Sequence, residues 1–394
     1  MTENDVVILA GSRTPQGRVN GQLSSLTAVD LGAAAIAGAL ARAGVAPEQV
    51  DFVLMGQVLQ AGCGQNPARQ SSVAAGIPWN VPAVTLNKVC LSGLAAVIDA
   101  ARLVRLGEAD VVVAGGQESM SRAPHLLPGS RQGWAYGTVS ALDHAAHDGL
   151  TDAFDGLSMG LSTERANAEL GQTRLEQDEI AAASHQRAAA AAASDLFSDE
   201  ITPISVPQRK GEPRLISTDE GVRAESTTET LGRLRPAFDP AGSITAGNAA
   251  PLSDGASAVV VTSRAWAEKH GLPWLAVIEA SGQVAGPDNS LHSQPANAIL
   301  HALTRQGWTA ADLDLIEINE AFASVVAQSS KVLGVSADVV NIHGGGIAIG
   351  HPIGSSGGRV ALHAALELAR RGTGKAAVAL CGGGGQGEAL LLSR

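Results

Sequence analysis

The sequence predicts an α/β protein made of two similar halves, and two observations carry that prediction. Short β-branched runs alternate along the chain with Ala- and Leu-rich stretches of helical period. The chain also repeats itself at long range. Ala39-Leu-Ala-Arg-Ala-Gly44 followed by Val50-Asp-Phe-Val-Leu54 resembles Ala302-Leu-Thr-Arg-Gln-Gly307 followed by Leu313-Asp-Leu-Ile-Glu317, at one constant offset of 263 residues (302 − 39 and 314 − 51). Ser92-Gly93, a helical stretch, Gly107 and Val111 to Val113 are matched further on by Ser356-Gly357, a helical stretch, Gly372 and Ala376 to Val378. A period this long marks a duplicated domain rather than a solenoid. The expected boundaries are residues 1–270 for the first half and 271–394 for the second.

In order, Val6 to Ala10 reads as a strand, Leu31 to Ala43 as a helix and Phe52 to Met55 as a strand. Ala83 to Leu86 reads as a strand end, and a helix starts at Ser92, where Leu94, Val97, Ile98, Ala101 and Val104 share one face. Val111 to Ala114 is the next strand. From about 120 to 250 the rhythm breaks, and Pro, Asp, His and Arg are scattered without a steady period. One clear helix stands there, opened by the capping box Thr173-Arg-Leu-Glu176 and running from Asp178 to Ala193. A long irregular insertion in a compact domain is usually functional or oligomeric. It is expected to be a loop domain inserted in the first half, serving as a lid and adding subunit contacts.

Composition narrows the function. The 394 residues are 45% hydrophobic and only 3% aromatic, with 46 glycines, which suits close backbone packing. A net charge of −11 argues against a nucleic-acid partner. Cys63, Cys90 and Cys381 make no CxxC pair and no zinc spacing, so no metal site is expected and a reducing cytoplasm fits. The acidic start Met-Thr-Glu-Asn-Asp leads into a strand rather than a secretory signal, and no run of about 18 apolar residues predicts a membrane span.

Cys90 sits where a strand turns into a helix. A helix N-terminus carries partial positive charge and free N–H groups, which favours a thiolate nucleophile. Taken alone, a single Cys is more often a packing residue. Three other stretches bear on it. Ile318-Asn319-Glu320-Ala321-Phe322 ends a strand at the edge where α/β sheets bind ligands, although Asn319 also reads as a plain N-cap. His351 lies among glycines, with a helix expected near Arg359. Cys381 ends the strand Ala376 to Leu380 and opens a glycine run whose N–H groups suit an oxyanion. Gly382, Gly384 and Gly387 fit G-x-G-x-x-G but with no helix or second strand expected after them, so a dinucleotide site is discounted. Gly354-Ser-Ser-Gly-Gly358 fits G-x-S-x-G but follows a loop, and is set aside as a nucleophile elbow. His144 and His147 have ligand spacing without a third ligand.

Asn87-Lys-Val-Cys-Leu-Ser-Gly93, Gly115-Gly-Gln-Glu-Ser-Met-Ser121, Asn319-Glu-Ala-Phe322, Gly345-Gly-Ile-Ala-Ile-Gly-His-Pro-Ile-Gly354 and Cys381-Gly-Gly-Gly-Gly-Gln-Gly387, in this order, resemble the signatures of the thiolase family over essentially the whole chain. The resemblance implies a thiolase fold, two duplicated α/β halves in five layers (αβαβα) with an inserted loop domain. It implies a homotetramer or homodimer and coenzyme A thioesters as substrates, with no separate cofactor. By the same resemblance Cys90 would accept the acyl group. His351 would activate it and help form a first oxyanion hole, with a water held by Asn319. Cys381 would be the acid and base for the second substrate, and the N–H groups of Cys90 and Gly383 a second oxyanion hole. Leu150, Met159, Arg223, Phe238, Ala246, Ala321 and Phe322 would line the coenzyme A path.

Two positions depart from the family pattern. Ala250 lacks a hydroxyl that often meets the thioester, and Ser158 stands where many short-chain members have His. The activity implied is the reversible condensation of two acetyl-CoA to acetoacetyl-CoA and CoA. Thiolysis of longer 3-ketoacyl-CoA is the near alternative, and a non-catalytic acyl-CoA binder the remote one. A decarboxylating condensing enzyme is disfavoured, since those use one Cys with His partners.

Overall fold

The structure is a computed structural model and describes residues 5–394; the acidic start, Met1 to Asn4, lies outside the described residues. The first half runs β1 (Val6–Arg13), β2 (Gly17–Arg18), α1 (Ala28–Ala43), β3 (Phe52–Gly56), α2 (Pro67–Ala74), β4 (Ala83–Leu86), α3 (Ser92–Leu106) and β5 (Val111–Ser119). Shorter pieces follow: β6 (His125–Leu126), β7 (Leu142–Asp143), α4 (Met159–Leu170), α5 (Arg174–Ala193), β8 (Ile204–Val206), β9 (Arg214–Ile216) and α6 (Thr228–Gly232). β10 (Ser253–Ser263) and α7 (Arg264–Lys269) return to the first half. The second half is β11 (Ala276–Ala285), α8 (Gln294–Gln306), β12 (Leu315–Ile318), α9 (Ala323–Leu333), α10 (Gly346–Ile349), α11 (Ser356–Arg371), β13 (Lys375–Gly382) and β14 (Gln386–Ser393).

The duplication is visible in three dimensions. Strands run β4-β3-β5-β10-β1 in the first half and β12-β13-β14-β11 in the second. The two sets meet where β1 pairs antiparallel with β11, Val6 opposite Ile278 and Ile8 opposite Ala276. The repeated Ala-Leu-x-Arg-x-Gly is the end of α1 and of α8. Gly44 and Gly307 cap them at φ +65° and +74°, a conformation only glycine takes cheaply.

Five layers follow from the period of the strands. Successive side chains face opposite sides of a sheet. In β5, Val111 and Val113 pack with α1, while Val112 and Ala114 pack with α3 and α11. In the second half Ile316, Ala377 and Leu391 pack with α8 and α9, while Leu315, Val378 and Leu390 face α3 and α11. The two sheet halves therefore enclose α3 and α11 and are covered outside by α1 and α2 on one side and α8 and α9 on the other. Burying Leu94, Val97 and Ile98 of α3 contributes about 1.5–3 kcal/mol each. Where α3 and α11 begin, their backbones touch. A Cβ on Gly357 would lie 2.1 Å from Leu94 N, and one on Gly93 2.8 Å from Gly358 N, so neither position has room for a side chain.

Three expectations change. The helix after His351 starts at Ser356, not near Arg359. The glycine run after Cys381 is followed by a strand, β14, which makes it a hairpin turn. The inserted region holds a second long helix, α4, which its weak amphipathic pattern and internal Gly160 concealed.

Candidate active site

Three loops converge at the same end of the central layer. Cys90 lies in the turn between β4 and α3. That turn puts Val89 at φ +51°, strained for a β-branched residue by about 1–3 kcal/mol. Local hydrogen bonds hold it. Val89 N–H donates to Asn87 Oδ1 at 3.0 Å, Lys88 N–H to Ser92 Oγ at 2.8 Å, and Ser92 Oγ donates to Val89 O at 2.6 Å.

His351 comes from the glycine-rich loop between α10 and α11. Its backbone N–H donates to Ser253 Oγ at 3.1 Å. Its ring Nδ1 lies 2.6 Å from Ser356 Oγ, and that hydroxyl donates to Pro352 O at 3.1 Å. With the hydroxyl proton on Pro352 O, Ser356 accepts from Nδ1–H and leaves Nε2 bare. A buried carboxylate fastens the same loop. Glu118 accepts from Gly354 N–H at 2.9 Å and from the N–H groups of Val58 and Leu59 at 3.0 and 3.1 Å. Burial pushes Glu118 up to about 7, against those three N–H groups.

Cys381 ends β13 and is buried. Asn319, just past β12, donates its backbone N–H to Ala379 O at 3.0 Å. Its Nδ2 lies 3.4 Å from the His351 ring, and its Oδ1 is buried without a partner.

Cys90, His351, Cys381 and Gly383 line one narrow cavity with about 70 Å³ of free space. Leu150, Met159, Ala250, Ala321 and Phe322 form apolar parts of its wall. The structure thus brings together nine of the residues singled out in the sequence. Asn319 stands behind His351 rather than on the wall. Phe238 is outside too, edge-on to Phe322 at 6.4 Å between ring centroids. Arg223 and Ala246 are exposed and do not reach the cavity. Ser158 is the N-cap of α4, its hydroxyl oxygen accepting from Leu161 N–H at 3.3 Å, and it is not on the cavity wall.

Sequence reasoning missed Val89, Met120, Leu291 and Ile353 on the cavity wall, and it missed Ser356. Ser356 did leave a signal, as the Ser of the discounted G-x-S-x-G run. His144 and His147 both bond the one carboxylate of Asp148, and no group of three metal-ligating side chains occurs among the described residues.

The electrostatics correct one expectation. Burial pushes the Cys90 thiol up to about 11, against a downward pull from the backbone N–H groups of Cys90 and Gly383. The helix N-terminus alone does not make a resting thiolate. Burial also raises Cys381 far above the usual thiol range, with Cys90 adding to it. His351 is held down to about 4, by burial and then by the charge of Arg359. A neutral imidazole therefore faces a neutral thiol, and the proton transfers when a carbonyl is there to be attacked.

Comparison with known proteins places this arrangement. A family model described as Thiolase, N-terminal domain, matches residues 6–265, and one described as Thiolase, C-terminal domain, matches residues 272–394. A protein of Mycolicibacterium smegmatis named probable acetyl-CoA acetyltransferase is 58% identical over 388 residues, 98% of this chain and 100% of that one. The acetyl-CoA acetyltransferase of Cupriavidus necator is 48% identical over 390 residues, 99% of both chains. Among solved structures, the crystal structure of the Bacillus anthracis acetyl-CoA acetyltransferase superposes with a TM-score of 0.96 at 38% identity, covering 99% of this chain and 98% of that one.

Proposed function

The chain belongs to the thiolase family, and from that premise we propose that it is an acetyl-CoA C-acetyltransferase, joining two acetyl-CoA to acetoacetyl-CoA and CoA, reversibly. The observation that carries this reading is the cavity itself. Two thiols, an imidazole held as a base, and the backbone of a glycine turn meet in it.

His351 Nε2 takes the Cys90 proton as the sulfur attacks the first thioester. The departing CoA sulfur takes the Cys381 proton, so free CoA leaves, Cys381 remains as thiolate and Cys90 carries the acetyl group. The backbone N–H groups of Cys90 and Gly383, which favour negative charge at the Cys90 sulfur, would serve the oxygen of an acyl group carried there. Cys381 then removes an α-proton from the second acetyl-CoA. The carbanion forms the new C–C bond as the bond to Cys90 sulfur breaks, and the proton on His351 returns to Cys90. The buried, unpartnered Oδ1 of Asn319 suits a water that would steady the second thioester oxygen. This sequence uses no metal or prosthetic group.

Chain length follows from the wall. Met159, Leu150, Leu291 and Phe322 line the apolar part of a cavity with only about 70 Å³ of free space, well below the volumes of drug-sized ligand sites, which run about 300–1,000 Å³. In an open site each buried methylene would favour longer chains by about 0.8 kcal/mol. A closed site reverses that through overpacking, at about 1–3 kcal/mol. Thiolysis rates over 3-ketoacyl-CoA of increasing length test this. Acetoacetyl-CoA should have the highest kcat/KM, and a value that rises with each pair of carbons would make the enzyme degradative.

Arg223, Phe238 and Ala246 are proposed to meet the outer part of coenzyme A, supported by the contact of Phe238 with Phe322. A homotetramer, or a homodimer, is proposed on the exposed Trp134 and Tyr136 of the inserted region and on Val84 of the edge strand β4. Free cysteines suit the cytoplasm, and no described helix is long and apolar enough to cross a membrane.

A further inference from the structure

The two candidate thiols arrive on segments from opposite halves, and an ion pair ties those segments together. Lys88, two residues before Cys90, places Nζ 2.9 Å from Glu388 Oε1. Glu388 stands on β14 directly opposite Leu380, the neighbour of Cys381, while Gly387 is opposite Cys381 itself. Gln283 of β11 donates Nε2 to the same Oε1, and Oε2 has no partner. Glu388 is fully buried, whereas the Lys88 side chain keeps 27% exposure. On the Lys88 side the backbone is under strain, since Val89, between Lys88 and Cys90, is at φ +51°. Lys88 also anchors that turn through its backbone, its N–H on Ser92 Oγ and its carbonyl accepting from Leu91 N–H at 3.1 Å.

Stability does not account for the pair. A buried carboxylate with one oxygen unpartnered loses solvation that one ammonium and one amide only partly replace, and apolar residues of similar volume commonly serve a fold as well or better. Direct action on the nucleophile does not account for it either. The Lys88 ammonium is engaged by Glu388, 2.9 Å away, and makes no hydrogen bond to the Cys90 sulfur. Apolar side chains also bridge the two segments, Leu91 against Gly382 and Val89 against Gly383, but the pair adds a directional, charged link. It connects the strained turn carrying Cys90 to the hairpin carrying Cys381 and Gly383.

We propose that Lys88 and Glu388 are positioning residues, a strut that fixes the separation of the two thiols for the carbon–carbon bond-forming half of the reaction; this rests on the condensing reading above. That step needs the acyl carbon on Cys90 and the α-carbon deprotonated by Cys381 to meet at bonding distance. Loading of Cys90 needs only one substrate and tolerates more play.

The test compares Lys88→Met, Lys88→Arg, Glu388→Gln and the double variant Lys88→Met/Glu388→Gln with wild type, in steady-state condensation and in rapid-quench acylation by labelled acetyl-CoA. Lys88→Met and Glu388→Gln should lower kcat for condensation about 100-fold, the size of effect that a displacement near 1 Å produces. KM should stay within about threefold and acylation should slow by no more than about tenfold. Lys88→Arg, which restores charge and donor, should recover most of kcat. The double variant should be no slower than Lys88→Met, because the two residues act as one unit. Should Lys88→Met fail to fold, Glu388→Gln and Lys88→Arg give the same reading. A Lys88→Met or Glu388→Gln enzyme with kcat near wild type, a raised KM at unchanged kcat, or losses that multiply in the double variant would overturn the strut. A wild-type protein that forms no acyl-enzyme overturns the condensing reading beneath it, and the strut with it. Wild type that acylates normally beside an unimpaired Lys88→Met variant overturns the strut alone.

Discussion

Replacing Ser356 with Ala removes one oxygen from a fully buried position and tests whether that hydroxyl sets the state of His351. The helix α11 should survive, since Ala is a strong helix former and Ser356 is its first residue. What is lost is the 2.6 Å partner of Nδ1. A buried donor left without a partner costs about 1–3 kcal/mol. That cost falls on the tautomer with Nδ1–H, the one whose Nε2 is free to take a proton, and on the imidazolium that forms after transfer. At 1.36 kcal/mol per factor of ten, acylation of Cys90 should slow by about 5- to 150-fold. Rapid-quench trapping of labelled acetyl on Cys90 reads the rate, and nitrogen NMR of the His351 ring reads the tautomer. Acylation within about twofold of wild type, or an unchanged bare Nε2 in the variant, would refute the reasoning.

Cys381→Ser should slow condensation by about 100- to 10,000-fold, the range lost with a general acid or base, while acylation of Cys90 survives because CoA is a good leaving group even without a proton; equal losses in both half-reactions would contradict the division of labour. The pH dependence of alkylation checks the state of Cys90. With burial holding the thiol near 11, its carbamidomethylation by iodoacetamide, located by mass mapping to separate it from Cys63, should still be rising with pH at 9, and a plateau with a midpoint below 8 would show a resting thiolate instead.

The sequence made the fold legible because its signals were local or repeated. Alternating runs placed the strands, and the offset that pairs Ala39 with Ala302 placed the second copy. The stretches of Cys90, Asn319 and Cys381 were legible for the same reason, each lying at a strand end, and that of His351 by its run of glycines. What was hidden depends on partners far apart in the chain. Glu118 stood in a quoted motif, but its hydrogen bonds go to Val58, Leu59 and Gly354. Lys88 stood beside the nucleophile, but its partner Glu388 comes from the other half. Ser356 was dismissed because a serine in such a run was weighed as a nucleophile and not as a neighbour of His351. What opposes a resting thiolate at Cys90 is burial, which a sequence does not display, whereas the helix N-terminus is visible in it.

The contact of α3 and α11 at Gly93 and Gly357 bears on how this chain comes into being. Synthesis delivers Cys90 and α3 long before α11, His351 and Cys381 exist. Until then the face of α3 that will meet α11 has nothing to lie against, and Cys90 has no base. The backbone touch, too close for any side chain, forms only when the second half closes on the first. Reactive chemistry and completed folding therefore begin together, and a nascent or truncated chain carries an ordinary cysteine in place of an acyl-transfer site.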